Sequence, residues 1–524
     1  MLLNAIIVNC LTHLKMAYLL SLSLSKSSKS TLLVGSLTVF SRLLGFWRDV
    51  LIAQYFGATL ATDAFFAAFR FPNLLRRLFA EGAFSQVFVP TLTHYKAQKT
   101  TRELEQMIHK IASHLTLLML IITFCGVMIA PVLILVSAGG FHWQSEQHQL
   151  ATQLLQIMLP YGFFITLTAF MGSILNTHSQ YAVPALTPAL LNMAMIGATL
   201  WLTPYFQQPI IALAVGVFIG GVMQLALQMF ALHQLHLLPK LQRNVENSAT
   251  QHIMNRMLPT LFTNSATQIN FLANTLIASF LATGSVSWLY YADRLLELPS
   301  GILGSALTTI MLPKLATHFA HQETEKFSQT LDWGLHFTAL LGVPATIGLV
   351  FLAEPILSVL FCSTQFTPHD VHAAAQALSA YAIGLIGFLV VKVLTPAFTT
   401  CHIHSVAVRY TWICLGINLA LALILAQPFA HVGIALASTL ATSLNAALLL
   451  FFLWRKQLYT PLKTWRVFSL QILFSSVMLI ETLRYFSNFA SWSAFYLIKC
   501  VMVGVASYFA GLFLSGYFYT DNKK

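Results

Sequence analysis

Charged residues are scarce in this sequence. Asp, Glu, Lys and Arg make up only 8% of the 524 residues, whereas about 25% is usual for a soluble protein. Hydrophobic residues make up 57%, and the mean hydropathy is +0.73. So few charges cannot provide the surface of a water-soluble protein of this length, which excludes soluble enzymes and soluble binding proteins.

Cysteine is also scarce, and no two cysteines stand in a CxxC pair. This spacing indicates neither a disulfide framework nor a metal-binding knuckle, so the cysteines are expected to be packing residues and no metal site is predicted. The six cysteines are Cys10, Cys125, Cys362, Cys401, Cys414 and Cys500.

Acidic residues are fewer than basic ones, 16 against 28, which gives a formal net charge of +12. In a soluble protein this excess would suggest nucleic acid as a partner. In so apolar a chain the positions of the charges matter more than their sum, and no nucleic-acid partner is expected.

Long apolar runs make up most of the sequence. Each is roughly 18 to 25 residues long, enough to cross a hydrocarbon core of about 30 Å as a helix. The runs lack the alternation of barrel strands, so the sequence predicts an all-α polytopic membrane protein with about fourteen transmembrane helices. The predicted spans are 31–56, 63–92, 113–138, 150–175, 182–203, 209–233, 255–282, 285–313, 335–362, 373–400, 407–426, 431–454, 467–486 and 493–518.

Basic residues concentrate in alternate loops. The loops that follow the even-numbered spans 2, 6, 8 and 12 carry most of them, whereas the opposite loops contribute Arg484 as their one clear basic residue. The positive-inside rule therefore predicts an even number of spans with both termini in the cytoplasm. Residues 1–25 are predicted to be an extension, either a signal-like segment or the product of an early start at Met1, with Met16 as the alternative start.

An internal repeat divides the spans into two lobes. Asp49 to Ala53 resembles Asn274 to Ala278, Phe71 to Leu74 resembles Leu298 to Gly301, and Gly82 to Pro90 resembles Ser305 to Pro313, each at an offset of roughly 225 residues. Repeats of this kind are typical of transporters that bind substrate between two halves. The predicted division is an extension at 1–25, an N-lobe at 26–235, a C-lobe at 236–456 and two further spans at 457–524.

Several charged residues fall inside the predicted spans. A charge at the centre of a membrane helix costs roughly 2.5–3.5 kcal/mol on insertion scales, so such residues usually pair or line a watery cavity. They are Arg42, Arg48, Asp49, Asp63, Arg70, Arg76, Arg77, Glu81, Asp293, Arg294, Glu297 and Lys392.

Helical spacing shows which of these charges can share a face. Arg42, Gly45 and Asp49 stand at i, i+3 and i+7, as expected of a cavity wall. Arg77 with Glu81, and Arg294 with Glu297, are spaced for local ion pairs. For Arg77 an internal ion pair and a ligand contact are both open, and Arg70 can equally well extend along its helix toward the interface.

Four arginines are harder to explain by structural roles alone: Arg42, Arg48, Arg76 and Arg294. They outnumber the acids left to pair with them, so the sequence predicts a water-filled, positively charged cavity between the lobes. Arginine suits phosphate because its planar fork of donors matches two phosphate oxygens and stays charged. Pro72 and Pro299 are expected to break the second and eighth helices at matching places.

These charged segments resemble the MurJ (MviN) family of lipid II flippases, in the MOP exporter superfamily. The resemblance covers nearly the whole chain after about residue 25. The segments that carry it are Ser41 to Asp49, Ala61 to Phe66, Pro72 to Ser85, Gly284 to Glu297 and Gly384 to Pro396.

The resemblance implies a flippase of the bacterial inner membrane that moves an undecaprenyl-diphosphate-linked disaccharide pentapeptide to the periplasmic leaflet by alternating access. It implies that Arg42, Arg48, Arg76 and Arg294 bind the headgroup, and that Asp63 is functionally important. Spans 13 and 14 would hold the polyprenyl tail. Supporting roles are expected for Asp49, Glu81, Asp293, Glu297 and Lys392.

Other expectations concern partners, energy and chemistry. Membrane lipids and proteins of cell-wall synthesis are candidate partners. No cofactor, nucleophile or acid–base pair is predicted, and either the membrane potential or a monovalent cation is an open choice for the energy source.

Alternative functions remain open at the sequence level. They are a MOP-type drug/cation antiporter, a flippase for another polyprenyl-linked glycan, and a membrane enzyme of polyprenyl-phosphate metabolism. An antiporter would favour acidic cavity residues, and the enzyme would normally need a carboxylate cluster for Mg²⁺ or a His/Arg signature. His402 and His404 are the nearest match to such a signature, but are expected to be ordinary loop residues.

Overall fold

The computed structural model describes residues 26–79, 88–98, 100–240, 242, 265–487 and 492–517. The predicted N-terminal extension at 1–25 and the predicted site residue Glu81 lie outside these ranges. Within them the chain is helical and contains no strand. The predicted all-α fold is therefore confirmed.

The described residues contain eighteen α-helices. They are α1 Lys26–Phe56, α2 Leu60–Leu75, α3 Val89–Gln98, α4 Thr101–Met128, α5 Ala130–Ala138, α6 Glu146–Met158, α7 Pro160–Thr177, α8 Ala182–Gly197, α9 Ile211–Gln234, α10 265–278, α11 Ser285–Ala320, α12 Thr324–Phe351, α13 Ala353–Phe361, α14 Pro368–Ile383, α15 Leu385–Thr400, α16 His404–Arg455, α17 Trp465–Ser487 and α18 Ala494–Leu514.

Helices lie at each of the predicted spans. Among the described residues, nine helices are long and apolar enough to cross a membrane, or ten if the bent pair α14 and α15 forms one span. Large apolar side chains on them are exposed, among them Phe124 at 69% and Leu470 at 67%. The chain is thus a multi-pass membrane protein, while the count of fourteen spans stays a prediction.

Several predicted spans consist of two helices in series. The pairs are α4 with α5, α6 with α7, α12 with α13, and α14 with α15, the last bent by 42°. Pro160 is the first residue of α7, where the missing N–H of proline is tolerated because it would have no partner in the helix. Pro131 and Pro355 stand in the first turns of α5 and α13 for the same reason.

The prediction that Pro72 and Pro299 break their helices is wrong. Pro72 lies inside α2, and Pro299 lies inside the 36-residue α11. In membrane helices the groups freed by a proline are satisfied by neighbours, so the helix can continue. One residue after Pro299, the ammonium of Lys392 on α15 donates to the Ser300 carbonyl of α11 at 2.8 Å and joins the two helices.

Helix α16 is interrupted where the sequence predicts the boundary between two spans. Ala430 has φ 47° and ψ −131°, which is not helical, and Pro428 precedes it. Two consecutive helical stretches therefore make up the 52 residues of α16.

Contacts divide the chain into two compact units. The first comprises Met1–Ile52, Ala67–Val136 and His142–Ser265. Its core is formed by side chains of α3, α4, α7 and α9, including Leu92, Ile111, Phe170, Ile174 and Leu232.

The second unit comprises Ala53–Phe66, Ser137–Phe141 and Ala266–Lys524. One core cluster joins α11, α12, α15 and α16 through residues such as Met311, Leu331 and Phe398. Another packs α17 and α18 against the end of α12. The boundaries predicted from the repeat stay a prediction.

Candidate functional site

Arg48 is buried in the first unit and forms an ion pair with its neighbour in sequence. Its Nη2 lies 2.6 Å from Oδ1 of Asp49, and the two side chains are 6% and 0% exposed. Nη1 of Arg48 also donates to Oδ1 of Asn192 at 3.0 Å. Adjacent residues of a helix do not normally face each other, but the long arginine side chain folds back to the carboxylate. The pair lets both charges stay buried.

Arg42 has a different environment on the same helix. It is exposed, whereas Gly45 and Asp49, which share its predicted stripe, are buried. The amide of Asn192 donates to the Ser41 carbonyl at 3.0 Å, so α8 holds α1 directly beside Arg42. The stripe therefore runs from an exposed cation to a buried carboxylate.

Arg76 lies immediately after α2 in the first unit. Its Nε and Nη2 donate to Oδ1 of Asn73 at 3.2 and 2.8 Å. Arg76 is half-buried, and this neutral amide orients its guanidinium. Arg70 and Arg77 are also half-buried. The predicted pairing of Arg77 with Glu81 falls outside the described residues.

Asp63 lies in the second unit, where it caps a helix whose N-cap residue, Gly284, lies 221 residues later in the sequence. Its Oδ2 accepts from the Gly284 N–H at 2.6 Å. Its Oδ1 accepts from the Ser287 N–H at 2.9 Å and from the Ser287 hydroxyl at 2.6 Å. The carboxylate satisfies donors that the start of any helix leaves without a partner, and it suits the positive end of the helix dipole.

Aromatic rings hold Asp63 in position. Phe66, one turn further along α2, stacks on Tyr290 with centroids 3.9 Å apart and meets Tyr291 edge to face at 5.4 Å. Trp288 donates its Nε1 hydrogen to Oδ1 of Asp370 at 2.9 Å. The first turns of α11 are therefore fixed on several sides.

Arg294 forms the predicted ion pair with Glu297 in the second unit. Its Nη1 lies 2.5 Å from Oε2 of Glu297, and the side chains are 27% and 45% exposed. Asp293 is half-buried. Lys392 lies against Gly304, where an added Cβ would come within 2.2 Å of the lysine Cδ. Lys392 thus packs α15 closely against α11.

The predicted residues fall into separate groups within the two units. Arg42, Arg48, Asp49 and Arg76 belong to the first unit, and Asp63, Asp293, Arg294, Glu297 and Lys392 belong to the second. Sequence reasoning missed Asn192 and Ser287, the polar partners of Arg48 and Asp63. Ser287 lies in the segment Gly284 to Glu297, which is one of those that carry the family resemblance. Asn192 lies in none of the segments that the charges or the resemblance single out.

A family model described as lipid II flippase MurJ matches residues 52–503. The chain belongs to the lipid II flippase MurJ family. Family membership confirms the predicted resemblance, and since the family is one of flippases, the chain is a transporter rather than an enzyme.

Relatives in the MurJ family match along nearly their whole length. The probable lipid II flippase MurJ of Vibrio cholerae is 40% identical over 94% of this chain and 97% of its own. The lipid II flippase MurJ of Burkholderia cenocepacia is 34% identical over 94% of this chain and 98% of its own.

Solved structures agree on the fold. A structure titled lipid II flippase MurJ, inward closed conformation, matches with a TM-score of 0.80 and 27% identity, over 94% of this chain and 100% of that one. A multidrug-resistance MATE transporter of the MOP superfamily, in an inward-facing conformation, matches with a TM-score of 0.65 and 13% identity, over 81% of this chain and 97% of that one. The second likeness concerns the fold alone.

Proposed function

We propose that this protein moves lipid II, an undecaprenyl-diphosphate-linked disaccharide pentapeptide, from the cytoplasmic to the periplasmic leaflet of the bacterial inner membrane. The observation that carries the proposal is membership of the MurJ family over residues 52–503. The 40% identity to a probable lipid II flippase over 94% of the chain supports it. Both termini would lie in the cytoplasm, as the distribution of basic residues predicts.

The headgroup would be bound in a cationic central cavity by Arg42, Arg76 and Arg294. Arg42 is exposed, and Arg76 and Arg294 are only partly buried, so their guanidiniums are accessible to a ligand. A diphosphate offers several oxygens to such planar donors, and arginine is less strongly hydrated than lysine. Asn73 and Glu297 would orient two of the three arginines before the substrate arrives.

Arg48 would act through position rather than by contact with the headgroup. Its guanidinium is engaged by Asp49 and Asn192, and its side chain is 6% exposed. By joining α1 to α8 it would fix the part of α1 that carries Arg42. Arg42 and Arg48 would therefore have different roles, although the sequence analysis predicts headgroup binding for both.

Alternating access would use the Asp63 cap as a contact that forms in one state and breaks in another. Switching proteins depend on contacts of this kind, because packed elements adopt discrete arrangements rather than deforming continuously. A carboxylate that leaves Gly284 and Ser287 can be solvated by water, and the freed N–H groups can be solvated too. The three hydrogen bonds would then stabilise one state of the cycle without preventing the other.

Complementation tests the proposal. The full chain is expressed in a bacterial strain whose resident lipid II flippase can be depleted, and growth is followed after depletion. The wild type is expected to sustain growth, whereas Arg42→Ala, Arg76→Ala and Arg294→Ala are expected to fail at normal protein abundance. The control is Arg484→Ala, because Arg484 is 65% exposed and its pair with Glu481 spans 3.5 Å.

The outcomes are distinct. If the wild type does not sustain growth, the proposed substrate is wrong. If it does and all three arginine variants match it, the cationic cavity is wrong while the transport function stands.

A further inference from the structure

The segment 455–466 carries an isolated group of cations; it comprises the loop between α16 and α17 together with the adjoining end of each helix, and is called the loop below. Arg455, Lys456, Lys463 and Arg466 are all exposed. No aspartate or glutamate occurs in the sequence between Asp370 and Glu481. The loop therefore has four positive charges and no acid of its own.

The centre of this loop is fixed to the protein by a buried carboxylate. Oδ1 of Asp332, on α12, accepts from the Tyr459 hydroxyl at 2.8 Å and from the Trp465 indole at 2.7 Å. The Thr460 N–H donates to the Ser328 hydroxyl at 2.9 Å. Asp332 is 1% exposed and Tyr459 is 3% exposed. The four cations are thus carried by an anchored loop, which lowers the entropy cost of binding a ligand with several of them.

The acids nearest to this loop along α12 already have partners. Asp332 also pairs with Nδ1 of His336 at 3.1 Å. Glu323, just before α12, pairs with Lys326 and His318, each at 2.8 Å. Glu325 accepts from the Gln329 amide at 3.3 Å. Among the described residues, no ion pair joins an acid to any of the four loop cations.

Two of the cations lie at the N-terminal end of α17, where the helix dipole disfavours positive charge. Lys463 and Arg466 flank the first residue of α17, and the first turn of that helix contains no acid. The N-terminal end of a helix carries a partial positive charge, so cations there are unfavourable and an anion is favoured. The 23-residue helix and the two side chains therefore act together on an anion placed beside them.

The position of the loop shows which anion it would meet. It joins two helices that are long and apolar enough to cross a membrane. Trp454, Leu462 and Val467, next to the cations, are 56%, 38% and 53% exposed. Aromatic and basic residues at the end of a span are typical of the membrane–water interface, where the phosphates of lipid headgroups lie.

We propose that this loop binds the headgroup of an anionic phospholipid in the leaflet that it faces. The cations would contact the phosphate, while Trp454, Leu462 and Val467 would lie against the acyl chains. Phosphatidylglycerol and cardiolipin have the required charge, and a zwitterionic lipid does not.

Lipid retention tests the proposal. The full chain is reconstituted in nanodiscs of equal parts phosphatidylglycerol and phosphatidylcholine, then extracted in mild detergent, and the retained lipids are counted by native mass spectrometry. The wild type is expected to retain phosphatidylglycerol preferentially. Lys463→Gln with Arg466→Gln is expected to weaken that binding on the order of 30-fold, from the usual contribution of each cation near an anionic surface.

Matched variants separate a site from net charge. Arg102→Gln with Arg409→Gln removes two exposed cations elsewhere and is expected to leave the preference unchanged. Lys463→Arg with Arg466→Lys is expected to retain it, which shows that charge at these positions suffices. Tyr459→Phe keeps all four cations but removes one anchor, and is expected to weaken the preference.

Three results would overturn the proposal. One is equal retention of both lipids by the wild type. Another is an equal loss in the Arg102/Arg409 control, which would indicate a general effect of charge. The third is full displacement of phosphatidylglycerol by millimolar inorganic phosphate, which would indicate a site for free phosphate.

Discussion

The Asp63 carboxylate accepts a hydrogen bond from the Gly284 N–H at 2.6 Å, across 221 residues of sequence. Gly284 is the N-cap residue of α11 and has no side chain with which to cap the helix itself. Asp63 supplies that cap from α2, and its second oxygen binds Ser287. One carboxylate thus fixes the start of the helix that carries Arg294.

Removing the cap should destabilise the fold. Asp63→Ala is expected to lower the free energy of unfolding by about 1–2 kcal/mol, since caps are usually worth that much. Ser287→Ala removes only the hydroxyl bond and should cost less. Thermal unfolding in detergent is measured for both single variants and for the double variant. The comparison gives the interaction energy between Asp63 and Ser287. If the two effects simply add, Asp63 and Ser287 are not coupled as the distances indicate.

Gly284 should not tolerate a side chain. Its φ of +96° is unfavourable for other residues, and an added Cβ would lie 2.7 Å from Cζ2 of Trp288. Gly284→Ala is therefore expected to cost at least about 1–2 kcal/mol. The control is Gly348→Ala, at a helical position with nothing within 4 Å of the added Cβ. It should stabilise by about 0.5–1 kcal/mol, and equal effects of the two changes would contradict this description of Gly284.

Replacing Arg48 should destabilise the protein much more than replacing Arg42. Arg48→Ala removes the guanidinium that pairs with the buried Asp49 carboxylate and is expected to cost about 3–5 kcal/mol. The double change Arg48→Met with Asp49→Leu removes both charges and should recover much of that loss. Arg42→Ala should change stability by less than about 0.5 kcal/mol, because the side chain is exposed. Protein yield and melting temperature in detergent measure all three, and a strong loss in Arg42→Ala would show that Arg42 is structural as well.

Tyr459 should make stability depend on alkaline pH. Burial, and then the hydrogen bond to Asp332, raises the pKa of the Tyr459 hydroxyl above its usual range. A raised pKa adds stability that is fully present below the unfolded pKa of about 10 and is lost as the pH rises above it. The stability advantage of the wild type over Tyr459→Phe should therefore be constant from pH 7 to 9 and shrink above pH 10. A constant difference up to pH 11.5 would contradict the assignment.

Much of the fold can be predicted from the sequence because the bilayer constrains it so strongly. Apolar length locates the helices, and the predicted boundary between spans 407–426 and 431–454 coincides with the interruption at Ala430. The sequence misleads at Pro72 and Pro299, because whether a proline ends a membrane helix depends on the packing of residues that are distant in sequence.

The candidate site is predictable only in part. Composition and spacing identify the charged residues, and the spacing of Arg294 and Glu297 predicts their ion pair correctly. Spacing cannot show that Arg48 turns back to Asp49, since adjacent residues point in different directions. Nor can it show the partner of Asp63, because that contact depends on how two helices far apart in sequence pack in the second unit.

Transport in purified vesicles tests the central claim most directly. The protein is reconstituted in proteoliposomes with fluorescent lipid II, and the fraction accessible to a membrane-impermeant quencher is followed over time. We expect exchange between leaflets to be much faster than in protein-free vesicles, and to fall to that background in Arg42→Ala and Arg294→Ala but not in Arg484→Ala. Exchange no faster than background with the folded wild type, or equal exchange of a polyprenyl lipid that lacks phosphate, would contradict the account.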